Sequence, residues 1–121
     1  MVFEIDNYAS LREATERINK WLTEQNVSQE RLFDIRLVMS ELVGNVLRHA
    51  KTVARLGVEI DGAFLEVRVY SQTTFVPPTV SKKVEVFAEN GRGLFLVDSV
   101  SEERSYTKDG EIRVRMKINK Q

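Results

Sequence analysis

Three stretches of the chain alternate strictly between apolar and polar residues, and that period of two constrains the fold more than any other feature. Ala54, Leu56, Val58 and Ile60 share one face of the first stretch. Ala63, Leu65, Val67 and Val69 share one face of the second, after Asp61-Gly62, a pair suited to a hairpin turn. In the third, Ile112, Val114, Met116 and Ile118 alternate with Arg113, Arg115 and Lys117, behind a second such pair, Asp109-Gly110. One-sided alternation predicts antiparallel strands with one wet face, so helices must cover the other. "SEERSYT" is the expected hairpin partner of the last strand, and Val2, Phe3 and Ile5 of "VFEID" mark a further short strand.

The covering helices are marked by a 3.6-residue period. Ser10, with Glu13 three residues on, reads as a capping box opening a helix to about Gln25, with Leu11, Ala14, Ile18, Trp21 and Leu22 on one face. Ser28 caps a second helix running through Ala50, whose core stripe is Ile35, Val38, Met39, Leu42 and Val46. The expected architecture is α+β, a two-layer α/β sandwich with a mainly antiparallel sheet, forming a single domain over residues 1–121. Between Val69 and Gly91 the pattern is weak. A loop that long in a compact domain is as a rule functional or disordered. "NGRGLFLVDSV" then places two glycines at the opening of an apolar helix.

Several function classes are disfavoured by composition. The formal charge is +0, from 18 basic and 18 acidic side chains, without the basic excess of a dedicated nucleic-acid binder. No apolar run approaches the ~20 residues a membrane span needs, and "MVFEIDNYAS" lacks the pattern of a secretory signal. The absence of cysteine excludes disulfides and thiolate metal sites and is compatible with a cytoplasmic location.

The segment "SELVGNVLRHA" carries the chemistry. Glu41 and Asn45 are four residues apart, so they stack on one helix face, on the shoulder of the apolar stripe. Arg48 and His49 continue that shoulder, which borders both core and solvent and can wall a cleft. Taken alone, such a shoulder is a solvated helix face. His49 alone is a partly buried residue at a helix end, where the dipole favours its charged form. Beside a Gly-x-Gly helix start the reading changes. The amide oxygen of Asn45 is a hard ligand suited to Mg²⁺, the glycine amides suit phosphate, and a glutamate one turn away can orient or deprotonate a hydroxyl. Together they could hold a magnesium nucleotide under a lid.

At these residues the chain resembles the GHKL ATPase superfamily of gyrase, histidine kinases and mismatch-repair ATPases, and most of all its small branch of anti-sigma-factor serine/threonine kinases. "SELVGNVLRHA" looks like that family's N-box and "FAENGRGLFLV" like its second glycine box. The resemblance implies that Asn45 ligates Mg²⁺ and that Glu41 is the catalytic base. It implies that Arg48, His49 and Leu94 border an ATP nucleotide, that Gly91, Arg92 and Gly93 hold its phosphates, and that residues 72–90 are the lid. The partners it implies are a sigma factor and a STAS-domain antagonist inactivated by serine phosphorylation, with the kinase a homodimer.

One box departs from the family pattern. Where the first glycine box should carry an aspartate that reads the adenine amino group, Ser71 stands, and Thr73 replaces its first glycine. The last-strand threonine beside the base aligns with Arg113. These departures predict an intact phosphate side and weakened or absent ATP binding. They leave open a second reading, a partner-switching binding module that has lost catalysis. A third, the ATPase part of a sensor kinase, is disfavoured by chain length and by the lack of a dimerisation helix.

Overall fold

The computed structural model describes residues 1–50, 52–72, 91–107 and 110–118; for 49, 50, 72 and 91–94 it describes the backbone alone. In chain order the elements are β1 (Val2–Ile5), α1 (Tyr8–Glu24), α2 (Gln29–Asn45), a π-helical turn (Val46–Ala50), β2 (Val53–Asp61), β3 (Phe64–Gln72), α3 (Gly91–Val100), β4 (Glu103–Tyr106) and β5 (Glu111–Lys117). The strands form one five-stranded sheet in the order β1-β2-β3-β5-β4, antiparallel at every pairing. Ala54, Leu56, Val58, Leu65, Val67, Val69, Ile112, Val114 and Met116 all point to one face and are buried. Ile18 and Leu22 of α1 and Ile35, Val38, Met39 and Leu42 of α2 close over them. The α+β two-layer sandwich implied by the alternation is the fold.

Four local expectations need correction. The cap of α1 is Asn7, not Ser10: Asn7 Oδ1 accepts from the Ser10 amide at 2.8 Å, while Ser10 Oγ accepts from the Asn7 amide at 3.2 Å. Serine here takes the returning role usually filled by Glu or Gln. The first hairpin turns on Gly62-Ala63 rather than Asp61-Gly62, because Asp61 still pairs with Phe64. Gly62 has φ +62° at the first central position, and Ala63 is exposed. The α-helical part of α2 stops at Asn45 and continues as a π-helical turn. Arg113 is exposed on the wet face and pairs with Glu111 at 2.9 Å, so the period of two overrides the alignment that placed it beside a base. Its inward neighbour Ile112, opposite Val69, occupies the helix-covered side.

A single arginine ties the layers together. Arg31, in the first turn of α2, donates from Nε to the Lys117 carbonyl at 2.7 Å and from Nη1 to the Val100 carbonyl at 3.3 Å. It also bonds Asp34 at 3.0 Å, and its Nη2 lies 3.7 Å from Glu102. Its side chain is 14% exposed, so these bonds are shielded from water. A guanidinium at the last carbonyl of α3 also suits the helix dipole. Arg31→Ala is expected to lower stability by about 2 kcal/mol, a fall in Tm of roughly 6–10 °C. Thermal melts check this; an unchanged Tm would contradict it. Arg31→Lys should restore less than half of the loss, since an ammonium lacks the fork.

Candidate functional site

Leu42, Val43 and Val46 anchor the last turns of α2 in the core and carry Asn45 in with them, so that its amide has no exposure. Asn45 Oδ1 accepts a hydrogen bond from Arg48 Nη2 at 2.8 Å, and its Nδ2 has no partner among the described residues. Arg48 sits three residues on, in the π-helical turn. Such turns widen a helix and often mark functional positions. The guanidinium lies over Gly44, where a Cβ would come within 2.8 Å of Nη1. Glu41, one turn before Asn45, is half-buried and has no hydrogen bond or ion pair with a described residue.

Ser71 is the last inward residue of β3 before the long connection, opposite Ala54. It is fully buried, and its Oγ has no partner among the described residues. Unpaired buried polar atoms are few in folded proteins and each calls for a reason. The third such atom among the described residues, Arg31 Nη2, already faces Glu102.

α3 packs against α2, and the Val100 carbonyl at its C-terminal end accepts from Arg31 at the start of α2. The backbone of Gly91, Arg92, Gly93 and Leu94 forms the first turn of α3. Its amide N–H groups have no partner within the helix and favour an anion. Glu41 and Asn45 lie in the last turns of α2, and Arg48 in the turn that follows. Ser71 lies near the end of β3.

The side chain of His49 and those of residues 91–94 are outside the described residues, as are Thr73 and residues 73–90 of the expected lid. Sequence reasoning missed Gly44. Its signal was a glycine inside a helix, which costs about 1 kcal/mol relative to Ala and so calls for a packing reason.

The donor set bears on a metal. Among the described residues no group of three or more His, Cys, Asp or Glu side chains could hold one. Mg²⁺ takes one or two protein oxygens and completes its shell with water and phosphate, so the single amide oxygen of Asn45 fits that ion. In this structure the oxygen is engaged by Arg48.

Fold and polar shoulder together define an α+β protein of the ATPase-domain class. The family model for the histidine kinase-like ATPase domain matches residues 6–118, and the chain belongs to that family. Nucleotide and Mg²⁺ binding are general properties suggested by that membership. No curated protein sequence matches the chain. Among the described residues no helix is long and apolar enough to cross a membrane.

Proposed function

We propose that the chain is a cytoplasmic anti-sigma-factor-type regulator that transfers the γ-phosphoryl group of ATP to a serine of a STAS-domain antagonist. One observation carries this reading: a fully buried asparagine, one turn after a half-buried glutamate, whose amide nitrogen has no partner among the described residues, in a chain whose α3 opens on a glycine. A packed core has no use for that arrangement, whereas a polyphosphate does.

In this reading ATP supplies the phosphoryl group, and Mg²⁺, which Asn45 would hold, would neutralise phosphate charge. The Glu41 carboxylate takes the proton of the attacking serine hydroxyl as the new O–P bond forms. The bond to the ADP oxygen breaks, and ADP leaves. The first-turn amides of α3, at Gly91, Arg92 and Gly93, donate to phosphate oxygens, with Arg48, His49 and Leu94 bordering them. Ser71 faces the base. Phe33 and Phe95, 72% and 70% exposed on the helical layer, are apolar surface that a sigma factor, an antagonist or a second copy of the chain would cover.

Ser71 favours a second reading. A hydroxyl in place of an aspartate gives up a charge-assisted hydrogen bond, and a binding module without catalysis would tolerate that. The two readings separate on incubation of the protein with a STAS-domain antagonist and ATP. The kinase reading expects phosphoserine on the antagonist, lost in Glu41→Gln. Tight partner binding with no phosphoserine would overturn the kinase reading in favour of the module.

A further inference from the structure

We propose that the wet face of the sheet carries a carboxylate-binding site at Gly57, which takes an aspartate or glutamate side chain of a partner polypeptide. The site is separate from the nucleotide reading and does not depend on it.

Gly57 lies mid-strand in β2, opposite Arg68 of β3 and Val2 of β1. It alternates with the buried Leu56 and Val58 and so belongs to the wet face. A glycine inside a strand weakens it and marks a bulge, a bend or a close approach. No backbone need accounts for this one. β2 pairs with β3 without a break from Val53 to Asp61, and the positive-φ glycines among the described residues are Gly62 and Gly110. No steric need accounts for it either, because a Cβ at Gly57 would meet Arg68 Nε at 3.5 Å, an ordinary contact. What the missing side chain leaves is a hollow of about 150 Å³, lined by Val2, Arg55, Gly57, Arg68 and Glu111.

The charges around the hollow select its occupant. Arg68 is held by Glu59 at 3.3 Å and lies 3.6 Å from Glu66, and Glu111 is answered by Arg113 at 2.9 Å. Arg55 is exposed and has no hydrogen bond or ion pair with a described residue, although Glu4 stands opposite it across the β1–β2 pair. Arg55 is thus the cation left uncommitted among the described residues that line the hollow. Its planar fork matches one carboxylate. A phosphate dianion would bring a second negative charge towards Glu4 and Glu111, where like charges repel. Val2, 63% exposed, offers apolar surface to the methylenes of an acidic side chain. One charge-assisted pair on an open surface holds a free carboxylate more weakly than about millimolar. The occupant is therefore a residue of a polypeptide that makes its other contacts on the flat sheet around the hollow.

Nuclear magnetic resonance titration of the nitrogen-labelled protein with hexaglutamate tests this, followed at the Arg55 Nε–H and the Gly57 amide. Acetate and inorganic phosphate are run alongside at matched ionic strength. Hexaglutamate is expected to shift both resonances saturably and to bind at least tenfold more tightly than either small anion. Arg55→Gln should weaken its binding by at least fivefold. Gly57→Val, which fills the hollow and suits a strand, should abolish the saturable shift with no fall in Tm. Equal binding by the wild type and Gly57→Val, phosphate bound as tightly as hexaglutamate, or no saturable shift at Arg55 would each overturn the inference.

Discussion

Asn45→Ala is expected to reduce ATP affinity by about 10–100-fold and to bring phosphoryl transfer below detection, while partner binding persists. The side chain does two jobs at once. Its oxygen, which accepts from Arg48 in the free protein, would hold the metal of the nucleotide complex, and its nitrogen is a buried donor with no partner among the described residues. Removing a charge-assisted hydrogen bond costs about 1.5–3 kcal/mol, which is the affinity loss given. Transfer should suffer more, because an electrostatic contact aimed at the reacting phosphoryl is worth about 10²–10³ in rate. Fold stability should change little. The variant loses one bond to an exposed arginine and also removes an unpaired amide nitrogen from the interior. Retained transfer in Asn45→Ala, measured with radiolabelled ATP, would contradict the assignment.

Ser71→Asp is expected to have two effects of opposite sign. Without ligand it places a carboxylate where Ser71 has no exposure and its Oγ no partner among the described residues, so the carboxyl pKa is expected to rise above the ordinary value near 4. A carboxyl whose folded pKa is raised binds its proton more tightly in the folded state. Stability is then kept below the unfolded value and lost as pH rises through the folded one. A shift of ~2 units would cost roughly 3 kcal/mol at neutral pH. With ATP present the amino group of the base can donate to the carboxylate. The difference between a charged and a neutral acceptor is worth about tenfold in affinity. Melting curves of Ser71→Asp at two pH values, with and without ATP, should show a low Tm at neutral pH that ATP restores. An unchanged ATP affinity would mean that the weakness of the base side lies elsewhere.

Much of the fold can be read in the chain because alternation and burial are the same fact seen twice. Leu56, Val58, Leu65, Val67, Ile112 and Val114 could only be buried together if their strands shared a face. The misplacements were local, where two residue types satisfy one backbone need equally well. Asn7 and Ser10 are both good caps, and only the reciprocal bonds tell which one begins the helix. Arg113 shows pattern defeating resemblance: between Ile112 and Val114 it had to face water. Arg31 was invisible, because the carbonyls it holds belong to residues 69 and 86 positions away.

For the site, the helical spacing of Glu41 and Asn45 was legible, and so was the glycine start of α3. The engagement of Asn45 by Arg48 was not. An i, i+3 pair on a helix is ordinary, and it takes on meaning only with the burial of Asn45 and the bare floor at Gly44. Ser71 read as a loss in sequence. In the structure it is also a buried hydroxyl without a partner among the described residues.

The central claim is that this end of the sandwich is a nucleotide site built on Asn45. Calorimetric titration of the wild type and of Asn45→Ala with ATP in Mg²⁺ buffer, with GTP and ADP alongside, tests it most directly. The account predicts micromolar binding by the wild type and a loss of about 10–100-fold in the variant. No heat from the wild type at millimolar ATP, or equal binding by both proteins, would contradict it.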